Sequence, residues 1–85
     1  MIRIYGSMLC GDCVQCRLDL DNAGVSYEFL DFADNLQYLK DFLAIRDNDS
    51  QFVAVRQEGR VGIPCIVTDD GTVTLSWESL ICSRG

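Results

Sequence analysis

"IYGSMLCGDCVQC", residues 4 to 16, runs from the end of an alternating apolar segment into three cysteines spaced three apart. Two Cys-x-x-Cys motifs overlap there, Cys10–Cys13 and Cys13–Cys16, and they share the middle thiol. Just upstream, "IRIYG" over residues 2 to 6 alternates Ile2 and Ile4 with Arg3 and Tyr5 and is rich in strand formers. Residues 11 to 23 instead carry a helical period. Cys13, Cys16, Leu20 and Ala23 share one stripe, with Val14 and Leu18 beside it, and Gly24 stands where a helix C-cap is expected. Cys10 therefore falls at a strand-to-helix junction, with Cys13 one turn into the helix and Cys16 a further turn down.

The rest of the chain extends this β-then-α start. "VSYEFLDF", residues 25 to 32, returns to strand character. A second helix is expected from about Asn35 to Arg46, burying Leu36, Leu39, Phe42 and Leu43. Asp49 or Ser50 can cap a further short helix over "QFVAVRQE" before Gly59. "IPCIVT", residues 63 to 68, reads as a third strand entered through the only proline, and "DDG" turns it into a fourth, "TVTL". The tail from Trp77 to Gly85 begins with a short helix at "WESL".

The first two strands, joined through a helix, should be parallel; the last two should form an antiparallel hairpin. The expectation is an α/β fold in β-α-β-α-β-β-α order. A four-stranded mixed sheet flanked by helices would form a single domain over residues 1–85.

Composition narrows the chemistry. Eighty-five residues, 48% of them hydrophobic and 24% charged, suit one soluble globular domain. A net charge of −6 without a basic stretch repels phosphate backbones and anionic lipid, so neither nucleic acid nor a membrane is an expected partner. Histidine is absent, which removes imidazole-activated nucleophiles and every zinc site needing imidazole. Five cysteines are an odd number for a disulfide framework. No leader-like start or apolar run of membrane-spanning length is visible, so a cytoplasmic, reducing location is expected. Clustered cysteines in that setting point to thiol catalysis or metal binding.

Thiolate is the reactive form of cysteine, and the positive end of a helix dipole favours it. Cys10, before the first helix, meets unpaired backbone N–H groups there. Cys13 lies beneath it and can attack a mixed disulfide formed on Cys10. Cys16 falls on the face expected to pack on the sheet, where a cysteine behaves as a small hydrophobe. Cys65 alternates away from the face of Pro64 and is expected to be buried too. Packing is the favoured reading of both; the alternative is an accessory thiol, as a regulatory disulfide partner or metal ligand for Cys16 and through nearness to the active site for Cys65. A proline opening a central strand offers rigidity and a cis turn, so a cis Ile63–Pro64 bond facing the Cys10 sulfur is expected.

"IYGSMLCGDCVQC", "NAGVSYEFLDF" and "VGIPCIVTDDG" together resemble the glutaredoxin branch of the thioredoxin superfamily over most of the chain. The family's strand tyrosine and helix-exit glycine fix the register. Tyr5 lies five residues before Cys10 and Gly24 fourteen after it, matching the family's first cysteine. The resemblance implies a thioredoxin-like fold and a redox pair of Cys10 and Cys13. It further implies a substrate surface drawn from Met8, Leu9, Gly11, Asp12, Ile63 and Pro64. Two positions depart from the glutaredoxin pattern: Ser7 stands where a lysine is common, and "LSWES" replaces the Gly-Gly-x-Asp motif. "LSWES" and "CVQC" look more like the redoxins that reduce ribonucleotide reductase. Gly11–Asp12 replaces the more familiar Pro-Tyr, and Asp12 sets a negative charge near Cys10.

The first function implied is a small thiol–disulfide oxidoreductase acting on disulfide-containing proteins or glutathione mixed disulfides. Glutathione or thioredoxin reductase would supply electrons, with no tightly bound cofactor and no metal. The alternative is a metal-binding or iron–sulfur-cluster protein built on Cys10, Cys13, Cys16 and Cys65. A regular helix opposes it, because it spreads the first three sulfurs over roughly 9 Å of axis.

Overall fold

The alternation in "IRIYG" becomes β1, Ile2–Gly6, and the periodic stretch after it becomes α1, Gly11–Asn22, in the computed structural model, which describes residues 1–82. The remaining elements follow in the expected order: β2 (Tyr27–Asp31), α2 (Leu36–Asn48), a 3-10 turn (Ser50–Phe52) leading into α3 (Val53–Gln57), β3 (Cys65–Val67), β4 (Val73–Thr74) and α4 (Glu78–Cys82). The tail read from Trp77 onward is thus described as far as Cys82; residues 83–85 and the Cys82 side chain lie outside the described residues.

The four strands form one open mixed sheet in the order β2-β1-β3-β4. β1 runs parallel to β2, pairing Ile4 with Phe29 and Tyr5 with Leu30. It runs antiparallel to β3, pairing Ile4 with Ile66 and Tyr5 with Cys65. β3 and β4 close the expected hairpin, pairing Val67 with Val73.

Strand alternation divides the core between two faces. Ile4 and Ile66 point to one side, where Cys16, Leu20 and Val25 cover them with Trp77, Leu80 and Ile81 at the margin. Tyr5, Leu30, Cys65 and Val67 belong to the other side, against Phe42, Phe52 and Val55. The sheet is therefore sandwiched, with α1 and α4 on one face and α2 and α3 on the other. Phe42 and Phe52 are fully buried and meet edge to face at 6.0 Å. Truncating either to alanine should cost about 3–5 kcal/mol.

Local sequence explains where the helices stop and start. α1 ends in a Schellman arrangement: Gly24 sits at φ +73°, its N–H bonds to the Asp21 carbonyl, and Val25 N–H bonds to that of Leu20 at 3.0 Å. Asn35 caps α2 by accepting from Gln37 N–H, and Asp49 does the same for Gln51 at the 3-10 turn.

The buried face of α2 differs from the expectation. Phe42 is buried and Leu39 packs against the core, but Leu36 and Leu43 are 62% and 37% exposed; Tyr38 and Ile45 pack inward instead. The stripe through 38, 42 and 45 is as helical in period as the expected one, and the crossing of α2 over the sheet selects it. Leu18 of α1, expected beside the stripe, is also exposed. The last two strands are shorter than expected. Pro64 has no N–H to donate to a ladder, so β3 begins at Cys65. The turn takes the far end: Gly71, at φ +85°, donates to the Thr68 carbonyl, and the Asp70 carboxylate accepts from Thr72 N–H.

Candidate active site

Leaving β1, the chain turns through Ser7 to Leu9 before entering α1. Cys10 N–H bonds to the Ser7 carbonyl at 3.0 Å, and Leu9 N–H to the Ser7 hydroxyl at 3.1 Å. Cys10 is then the N-cap of α1, in extended conformation, and its side chain makes no capping hydrogen bond. A half-buried thiol thus stands at the positive end of a twelve-residue helix.

Cys13 lies under it and is fully buried. Burial is the largest influence on its thiol, which is pushed up to about 12. The Ser7 N–H, hydrogen bonded to the sulfur, pulls the other way; a hydrogen bond and charge coupling with Cys10 add to the rise. The two thiols of the first Cys-x-x-Cys are therefore neighbours, and Cys10 acts on the ionisation of Cys13. Gly6 makes room for this pair: a Cβ there would come within 2.7 Å of the Cys13 sulfur and 3.3 Å of the Phe29 ring.

Cys16 and Cys65 are also fully buried, on opposite faces of the sheet, and burial pushes both thiols up to about 12. Neither reaches the surface beside Cys10. Among the described residues, no three cysteine or carboxylate side chains gather as a metal site would require.

Cys10 opens onto a hollow of about 420 Å³. Asp12 stands beside it; residues 59–64 form the facing wall, and Leu75 and Trp77 close one side. The Ile63–Pro64 bond in that wall is cis, as expected from the sequence, and Pro64 is buried. Gly62, at φ +94°, brings the wall against the 3-10 turn and α3, where a Cβ would meet the Phe52 ring at 2.8 Å and Val55 at 3.1 Å. The resemblance implies six residues on this surface. Asp12, Ile63 and Pro64 line it, whereas Met8, Leu9 and Gly11 stand outside its walls. Leu9 is 97% exposed, and the Met8 sulfur accepts from Arg17 at 3.2 Å.

Sequence reasoning missed Arg60, Leu75 and Trp77 as wall residues. Trp77 is tied across the molecule: its Nε1–H donates to Asp19 Oδ2 at 2.8 Å, and Gln15 donates to the other carboxylate oxygen, also at 2.8 Å. The indole hydrogen bond, followed by that of Gln15, holds the Asp19 carboxyl below its ordinary range. The helical spacing of Gln15 and Asp19 hints at their pairing, but nothing local links either to Trp77.

A second hollow, of about 610 Å³, lies where α1 leaves the β2 edge uncovered. Arg17 crosses it, stacked 4.7 Å above the Phe29 ring and bonded to the Tyr27 hydroxyl, while Asp21, Asp31 and Asp34 stand around it. No described helix is long and apolar enough to cross a membrane.

No family model matches this chain, and no solved structure matches it. A protein of Haemophilus influenzae described as "Uncharacterized protein" is 31% identical to it over 77 residues, covering 91% of this chain and 90% of the relative. Identity at that level, sustained over nearly the whole of both chains, places this chain in one family with the Haemophilus influenzae protein.

Proposed function

We propose that this protein is a thiol–disulfide oxidoreductase of glutaredoxin-like type on a thioredoxin-like fold, with Cys10 as nucleophile and Cys13 as resolving thiol. One observation carries the reading. A half-buried thiol stands at the N-cap of α1 and lines a hollow walled by Pro64, with a second, fully buried thiol one turn below it.

Cys10, as thiolate, attacks one sulfur of a substrate disulfide R–S–S–R′. An S–S bond forms to Cys10, and R′S⁻ leaves and takes up a proton. Cys13 then loses its proton and attacks the Cys10 sulfur, releasing RS⁻, which is protonated in turn. Two electrons pass from the dithiol to the substrate, leaving a Cys10–Cys13 disulfide and two product thiols. Two of the influences that raise Cys13 come from Cys10 itself. They weaken once the Cys10 sulfur is bonded to substrate, so Cys13 becomes easier to ionise at the step that needs it. Two equivalents of a small thiol such as glutathione, or a dithiol reductase such as thioredoxin reductase, would restore the dithiol in a reducing, cytoplasmic setting.

Mixing the reduced protein with one equivalent of hydroxyethyl disulfide should give two equivalents of mercaptoethanol and a protein lighter by two hydrogens. Cys10→Ser should be inert, and Cys13→Ser should stop at a mixed disulfide visible by mass spectrometry. A Cys10→Ser protein as reactive as the parent would refute the assignment.

A further inference from the structure

We propose that the hollow beside Cys10 selects polypeptide disulfides carrying an apolar side chain next to the reacting cysteine and no acidic one. Trp77 is the specificity-determining wall, and Asp19 is the residue that positions it. This inference rests on the thiol–disulfide reading above.

The walls argue for the apolar half. Val61 is more than half exposed, and Ile63, Leu75 and Trp77 are half-buried, so each turns hydrocarbon toward the opening. A leucine-sized side chain placed there removes apolar surface on both partners from water. Charge argues for the other half. Asp12 stands beside Cys10, and the hollow's cation, Arg60, is paired with Glu58 at 2.6 Å. A carboxylate next to the substrate cysteine would meet Asp12 and find the guanidinium engaged, whereas a lysine there would meet a carboxylate. The chain's net charge of −6 acts in the same direction at longer range.

The indole of Trp77 owes its place to a distant helix. Asp19 lies on α1 about two and a half turns below Cys10, and its carboxylate is held from both oxygens, by Gln15 and by the indole N–H. Fixing a large flat ring in this way makes it a preformed wall rather than one each ligand must order. Because the same helix carries Cys10 at its N-cap, wall and sulfur are held in register by one rigid element.

The test compares two peptide disulfides, the dimers of Lys-Cys-Leu and Glu-Cys-Glu, with hydroxyethyl disulfide, in single turnover with the reduced protein as sole electron source. The lysine-leucine peptide should react about tenfold faster or more than the acidic one. Trp77→Ala should bring the rates of the two peptides to within about twofold of each other, the ratio being read within that one variant. Asp19→Ala should weaken the preference likewise and lower the fluorescence anisotropy of Trp77, the sole tryptophan. Asp19→Asn, whose amide oxygen still accepts from the indole, should restore both. Equal rates for the two peptides would overturn the proposal, as would a preference that survives Trp77→Ala.

A protein that reduces none of the three disulfides would fail the redox reading instead. The preference of the hollow is then decided by Trp77 emission in Cys10→Ser protein titrated with the same peptides S-methylated on cysteine. Tighter binding of the lysine-leucine peptide supports the inference, and equal binding overturns it.

Discussion

Replacing Gly6 by alanine tests how the thiol pair is seated. The added Cβ would lie 2.7 Å from the Cys13 sulfur, about 1 Å inside ordinary van der Waals contact. Cys13 is fully buried and fixed on α1, so the sulfur cannot swing away freely. Overpacking a buried site by one methyl costs about 1–3 kcal/mol. Against this, losing a glycine from the unfolded chain returns about 0.4–1 kcal/mol. The steric effect should win, with a net loss of about 1–2 kcal/mol and a melting point lowered by about 4–16 °C for a domain of this size.

The same contact predicts its own relief. In a Cys13→Ala background the sulfur is gone, and only the looser 3.3 Å approach to Phe29 remains. Gly6→Ala should then be nearly neutral, which gives a coupling of about 1–2 kcal/mol across the double-mutant cycle. Urea unfolding of the four proteins under reducing conditions measures it. Additivity within about 0.5 kcal/mol would refute the reasoning, because the cost would then lie elsewhere than at the Gly6–Cys13 contact.

Alkaline pH should loosen the fold. Cys13, Cys16 and Cys65 hold their protons to about 12 in the folded protein, whereas in the unfolded chain they titrate near 9. The unfolded state thus binds fewer protons between those limits, and stability falls as pH rises, by about 1.4 kcal/mol per unit for each thiol. Urea midpoints at pH 8, 9 and 10 should drop progressively, less steeply in Cys65→Ala; a flat profile would contradict the burial of these groups. Gly62→Ala, with its positive φ and a Cβ 2.8 Å from Phe52, should lose about 2–5 kcal/mol. Gly71→Ala, at a similar φ but in open space, should lose only about 1–2 kcal/mol, and equal losses would dismiss the packing argument. Cys16→Ser places a hydroxyl in an apolar site and should cost about 1–3 kcal/mol in stability while leaving single-turnover disulfide reduction intact. A matching loss of reduction rate in the folded variant would bring Cys16 into the chemistry.

Much of the fold was legible because the signals are local. Alternation in "IRIYG", the Cys13–Cys16–Leu20 stripe and Gly24 at the helix exit each depend on neighbours a few residues away. The misreading of α2 has the opposite origin. Its sequence offers two apolar stripes, and only the sheet beneath, with Tyr5 and Leu30 presenting their face, selects the one through Phe42. The hollow divides in the same way. Pro64 and Asp12 announce themselves by type and position, but Trp77 reaches the site through a carboxylate 58 residues away in sequence.

That distinction bears on the two overlapping Cys-x-x-Cys motifs. Ionisation does not choose between them, since burial pushes Cys13 and Cys16 up to about 12 alike. Access does. Cys13 is buried against Gly6 and Ser7 with Cys10 as its neighbour toward solvent. Cys16 instead points into the hydrocarbon between α1 and the sheet, among Ile4, Leu20 and Ile66. For Cys16 to exchange disulfides with an external substrate, it would have to leave a core that a small domain can hardly spare. Spacing permits either motif in the sequence; the pitch of α1 and the position of the sheet beneath it bring only Cys10, which belongs to the first, to the hollow.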